Sequence, residues 1–267
     1  MWTALALAAA VSPGQPPAGA LQLTNVRLTI GELGPARKDA KLLPGDLLFI
    51  AFDVDNLTID PDGKTSYTMA MEVSDAAGKL VFKEDPRDLK DVVLLRGGKL
   101  PARAFITIGV DQPPGMYKCK MTVTDPRAKA TNSFTVPFEV LRPDFGLVAV
   151  NPTHDQNGFH VAPASGVVGE MRWVQFTVVG FTRDAQTKQP TVDFTLEILD
   201  EKGAPTLGAP VRYTQGSGVN EKDAVFGQRV PVYLTRPGRF TVRVTGTDKA
   251  TNKRAQFELP IRVDPAP

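Results

Sequence analysis

The sequence predicts an all-β chain folded as two antiparallel β-sandwiches in tandem. Three observations predict it. Apolar residues alternate with polar ones at period two along many short stretches, the spacing of a half-buried strand. The chain carries 23 glycines and 23 prolines and no helical periodicity, which favours frequent turns over long helices. One phrase is also written twice: PPGMYKCKMTVTD from Pro113 to Asp125, and RPGRFTVRVTGTD from Arg236 to Asp248.

The chain opens MWTALALAAAVSPGQPPAGA. Its apolar run from Trp2 to Val11 is too short to span a bilayer. Ala18-Gly19-Ala20 fits the A-x-A form of a cleavage site, so residues 1–20 are expected to be a secretory signal peptide. No Lys or Arg precedes the run, so only the amino terminus supplies positive charge.

Two copies of one unit follow. The first is expected over 21–141 and the second over 147–267, joined by the short linker RPDFG at 142–146. Gly45-Asp46 precedes LLFIAFDV, and Gly169-Glu170 precedes MRWVQFTVVGF, 124 positions on. In this strand Ile50, Phe52 and Val54 take one face, as do Val174, Phe176 and Val178 in the copy. Next, Tyr67, Met69, Met71 and Val73 match Val192, Phe194, Leu196 and Ile198 at an offset of 125. Turns close these strands at Asp75 to Gly78 and at Asp200 to Gly203. In the repeated phrase Tyr117, Cys119, Met121 and Val123 share a face, answered by Phe240, Val242 and Val244. The last strands, FTVPFEVL and FELPIRV, contain Pro137 and Pro260. Proline there removes a ladder donor, so both strands are expected at sheet edges or bulges.

Charge and cysteine content exclude several classes. Residues 1–142 hold 17 basic and 16 acidic groups and the remainder 14 and 13, so each half is +1 and nucleic acid is not expected as a partner. Cys119 is the single cysteine, so no intrachain disulfide forms, and its replacement by Val242 in the copy marks it as a small buried hydrophobe. No later stretch approaches 18 consecutive apolar residues, so the mature chain is expected to be soluble or tethered through a partner, with no membrane span.

Few residues suggest chemistry. His154 and His160, the only histidines, flank Asp155 in THDQNGFH, at no zinc-binding spacing. The stretch DVDNLTIDPDGK gathers Asp53, Asp55, Asp60 and Asp62, a weak calcium candidate. Aligned on Gly63 as an EF-hand, it puts Thr58 first and Met69 twelfth, and neither fits. Strand parity turns Phe49 and Trp173 away from the core at equivalent positions, as candidate interface aromatics. Aromatics make up 7% of the chain and mostly take the inward parity, so a carbohydrate platform is not supported. Lys118 and Lys120, like Arg239 and Arg243, read as a solvated sheet face. No catalytic residue and no cofactor is assigned.

The segment Asp111 to Cys119, D-x-x-x-G-x-Y-x-C, resembles the start of strand F in immunoglobulin domains. The longer PPGMYKCKMTVTDPRAKATNSFTVPFEV resembles a bacterial immunoglobulin-like domain, and the resemblance covers both copies. It implies a tandem immunoglobulin-like pair whose Tyr117 hydroxyl caps a corner by bonding back to the backbone. The hallmark disulfide and its tryptophan are absent from the first copy, and Phe240 excludes a hydroxyl cap in the second. The resulting expectation is a non-catalytic, extracytoplasmic module that binds a protein partner or acts as a spacer at the cell envelope. Two alternatives stand beside it: a periplasmic chaperone acting by strand donation, and a calcium-dependent adhesion-type module.

Overall fold

The computed structural model describes residues 19–266, so the expected leader lies outside the described residues except for its last two positions. Among the described residues every regular element is a strand. The first half contains β1 (Gln22–Thr29), β2 (Lys41–Leu42), β3 (Leu47–Asp55), β4 (Lys64–Asp75), β5 (Leu80–Val92), β6 (Lys99–Thr107), β7 (Gly115–Asp125) and β8 (Ala130–Val140). The second contains β9 (Gly146–Thr153), β10 (Ser165–Val167), β11 (Met171–Val179), β12 (Val192–Leu199), β13 (Val211–Gln215), β14 (Val225–Tyr233), β15 (Gly238–Asp248) and β16 (Arg254–Asp264).

Each half forms a three-stranded sheet facing a five-stranded one. The orders are β1-β3-β6 and β2-β8-β7-β4-β5, then β9-β11-β14 and β10-β16-β15-β12-β13. The two orders are the same once the copies are matched, so the chain is a tandem pair of antiparallel β-sandwiches. Pairing is antiparallel except where the short β2 and β10 run parallel to β8 and β16.

The cores follow the alternation. Leu48, Ile50, Phe52 and Val54 of β3 meet Tyr117, Cys119, Met121 and Val123 of β7 in one buried cluster. Val174, Phe176 and Val178 meet Phe194, Val242 and Val244 in the other. Cys119 and Val242 are both fully buried, and burial pushes the Cys119 thiol up to about 12, which makes it a packing group.

Local devices repeat as well. Asp75 accepts hydrogen bonds from the backbone of Ala77 and Lys79, and Asp200 from Lys202 and Ala204, so one carboxylate closes each predicted turn. The first strand of each copy bulges at equivalent residues, Asn25 and Ala149, both with φ of 52°. Pro137 and Pro260 pair inward with Lys118 and Thr241. The covering strands β2 and β10 begin only at Glu139 and Arg262. Each last strand is thus an open edge as far as its proline and is covered beyond it.

Candidate functional site: the domain joint and the outer faces

The repeated phrase holds a polar part besides its packing. The Tyr117 hydroxyl donates to the Pro113 carbonyl at 2.8 Å and accepts from Gln112 Nε2 at 2.8 Å, forming the tyrosine corner that the resemblance implies. In the second copy Arg236 stands where Pro113 stood. Its guanidinium lies 5.0 Å from the centroid of Phe240, so a cation–π contact replaces the hydroxyl bond. The terminal aspartate does the same job in both copies. Asp125 accepts from the backbone of Thr58, Arg127 and Ala128, and Asp248 from Thr182 and Ala250. Burial pushes the Asp125 carboxyl up, but the N–H groups of Thr58, Ala128 and Arg127 outweigh it and hold the pKa below the usual range.

The joint is built from the first copy's lower loops and the edge strand β9. Asp46, 2% exposed, is its centre. Oδ2 accepts from Arg37 Nη2 at 2.8 Å. Oδ1 accepts from the backbone of Leu47 at 2.8 Å and, across the joint, from Ala149 at 2.8 Å. The bulge at Ala149 is what aims this N–H out of the β9 ladder and into the other sandwich. Beside it the Glu32 N–H donates to Asn151 Oδ1 at 3.1 Å. Gly31 lies so close that a Cβ would stand 2.6 Å from that same oxygen, at a φ of 74° that already favours glycine. Phe145, at the end of the linker, is buried in the second core. The echo of Asp46 is Glu170, which pairs with the buried Arg172 at 2.7 Å. Arg172 also donates to the Ser165 carbonyl, tying β11 to β10 within one sandwich. One carboxylate position therefore clamps two domains in the first copy and two sheets in the second.

The candidate residues fall as follows. Phe49 is buried (7% exposed), which corrects the expectation of an open ring there. It sits in the central strand between Thr29 and Phe105, and the Phe105 ring, 6.1 Å away, is the one left 59% exposed. Trp173 is half-buried between Thr153 and Pro231.

The calcium candidate is corrected too. Asp53 and Asp55 share Lys99 from β6, at 3.5 and 3.6 Å. Asp60 accepts from the Lys64 backbone and faces Arg127 at 3.7 Å, while Asp62 pairs with the Lys64 side chain at 3.3 Å. Asp53 and Asp55 are thus neutralised together by Lys99, and Asp60 and Asp62 by other cations. Among the described residues no three His, Cys, Asp or Glu groups converge to hold a metal.

Asp155 is engaged by its own loop. Burial pushes its carboxyl up, but the N–H groups of His160, Phe159 and Asn157 draw it further down, to about 2. A groove of about 690 Å³ lies between Leu33–Pro35 of the first copy and the outer face of β15 and β16. Arg239 and Arg262 stand opposite one another in it, but Arg262 pairs with Asp264, and Arg243 with Glu258 and Glu197.

No protein-family model matches the chain, and no curated protein matches it in sequence. Among solved structures it is similar to the C-terminal domain of the AgI/II polypeptide BspA of Streptococcus agalactiae. Identity is 9%, coverage 90% of this chain and 100% of that one, and TM-score 0.31. It is similar also to a chain named BspA_C_mut, with 8% identity, coverage of 90% and 98%, and TM-score 0.30. Similarity at this level assigns neither a family nor a function. Among the described residues no helix is long and apolar enough to cross a membrane.

Proposed function

We propose that the chain is a non-catalytic, exported module of the bacterial immunoglobulin-like type, which presents two rigidly joined sandwiches to a protein partner at the cell envelope. The clamp at Asp46 carries this reading. A buried ion pair whose second oxygen reaches into the next domain holds two folded bodies in one orientation, which is the property a spacer or presenting module needs. Trp173, half-buried beside the open edge strand β14 with the 68% exposed Tyr233, offers an aromatic surface for the partner. Strand donation has less support, because the edge strands β5, β6 and β14 carry Pro86, Pro101 and Pro231.

The test is site-specific photo-crosslinking in cells that express the full chain. A probe at Tyr233 should give a discrete adduct in the exported fraction, and a probe at Glu221 should not. Retention of the chain in the cytoplasm, or equal adducts from both sites, would overturn the reading.

A further inference from the structure

The second sandwich opens on one side into an apolar cavity of about 600 Å³, between β12 and β14. Pockets that hold small molecules span roughly 300–1,000 Å³ and are mostly apolar, with a few placed polar groups. The cavity arises where the β12–β13 ladder stops. That ladder ends at Leu196 opposite Val211, and the preceding chain meets β12 again only where the Thr206 N–H donates to the Ile198 carbonyl. Leu207 to Pro210 stand outside the ladder between these points. In the first copy β5 instead accompanies β4 from Lys64 to Ser74. The floor of the cavity is core, with Leu234, Val242, Ile261 and Val263 all buried. Its rim is formed by the exposed side chains of Leu207, Val211 and Tyr233.

Arg236 is the single charged residue lining this cavity, and no Asp or Glu lines it. Arg243 and Arg262 nearby are paired with Glu197, Glu258 and Asp264. Arg236 has no carboxylate partner among the described residues and lies over the Phe240 ring. A guanidinium stacked on a ring keeps the N–H groups along its edge free, and that fork fits a carboxylate. The turn that carries Arg236 is fixed, because Leu234 donates to the Glu170 carbonyl and accepts from the Gly169 N–H, and Pro237 follows. The first copy has a cavity of about 540 Å³ at the matching place, but Lys83 and Glu84 both line it, so their charges cancel. The lone cation is particular to the second sandwich.

We propose that this cavity binds an aliphatic monocarboxylate of medium chain length, with its hydrocarbon tail against Val242 and Ile261 and its carboxylate on Arg236. One cation beside an apolar hole matches one negative head on one apolar tail. A second negative charge would find no cation, and a sugar would find too few polar partners among Thr206, Thr235 and Tyr233. Burial of the tail is the driving term, and the partly solvated ion pair sets which end faces out. The inference goes beyond the protein-binding reading and does not depend on it.

The test is isothermal titration calorimetry of the full chain with hexanoate, octanoate, decanoate and octanol, each below its aggregation limit. Each pair of added methylenes should tighten binding roughly tenfold. Arg236→Ala, at an exposed turn, should weaken octanoate roughly two- to fivefold and leave octanol unchanged. Val232→Trp, at a half-buried lining position of the edge strand β14, should fill the cavity and weaken every ligand roughly tenfold or more, with thermal unfolding to show that the variant is folded. Three results would overturn the proposal: affinity that does not depend on chain length, octanoate binding unchanged by Arg236→Ala, or a folded Val232→Trp variant that binds as the parent does.

Discussion

Replacing Asp46 by Ala removes the acceptor of three hydrogen bonds at once, two within the first sandwich and one across the joint. The N–H groups of Leu47 and Ala149 lose a buried partner, which costs about 1–3 kcal/mol for each group left dry. Arg37 loses its counter-charge, and one-sided removal of a buried pair costs about 3–5 kcal/mol. The Arg37 side chain is 22% exposed and still donates to the Lys41 carbonyl, so it rehydrates in part and the lower end applies. Water reaching the joint offsets a further share. The net expectation is about 3 kcal/mol, and with a urea slope of roughly 1–3 kcal/mol/M the unfolding midpoint should fall by about 1–3 M. Asp46→Asn keeps an acceptor for one N–H group and should lose about half as much. The assay is urea unfolding of the full chain followed by circular dichroism. A shift matching about 0.5 kcal/mol or less, the size of a surface substitution, would refute the clamp.

Tyr117→Phe should destabilise the first sandwich by about 1–2 kcal/mol, the value of its lost hydroxyl bonds. Arg236→Ala at the matching corner should cost only about 0.5–1 kcal/mol, both read from thermal unfolding. Asp125 has a folded pKa below its unfolded value, so the unfolded chain binds more protons as acid is added. Its contribution is present above the unfolded pKa and is lost as pH falls through the folded one, and Asp125→Asn should flatten that acid limb of the stability curve. Cys119→Val, which copies the residue of the second sandwich, should change stability by less than about 1.5 kcal/mol, and the native thiol should react with a disulfide reagent only on unfolding. Because Lys99 already neutralises Asp53 and Asp55, millimolar calcium or a chelator should leave the melting temperature unmoved.

The strands were legible because alternation is a local signal and the duplication states it twice. Parity alone correctly faced Phe52 and Phe176 inward, and the tyrosine corner followed from a nine-residue pattern. Phe49 shows where parity stops. It names the face a residue takes, and not whether Phe105, brought alongside by the β3–β6 pairing, will shelter it. The carboxylate cluster failed for the same reason: Asp53 and Asp55 are close in sequence, but their common partner Lys99 comes from a strand over forty residues away. The contact that ties the two sandwiches together, Ala149 to Asp46, lies outside the five-residue linker that the sequence marks. A signal for it was present. Gly45-Asp46 and Gly169-Glu170 echo each other, as Asp125 and Asp248 do, and a repeated acid beside a repeated turn marks a carboxylate that caps backbone N–H groups.

The most direct test of a clamped pair is the relative orientation of the two sandwiches in solution. Residual dipolar couplings of the 15N-enriched backbone amides, measured in one weakly aligning medium, report it without attached probes. The clamp predicts that a single alignment tensor fits the amides of 21–140 and 146–264 together, and that Asp46→Ala splits them. Two tensors of different magnitude in the unaltered chain would show the domains reorienting freely, and would contradict the account.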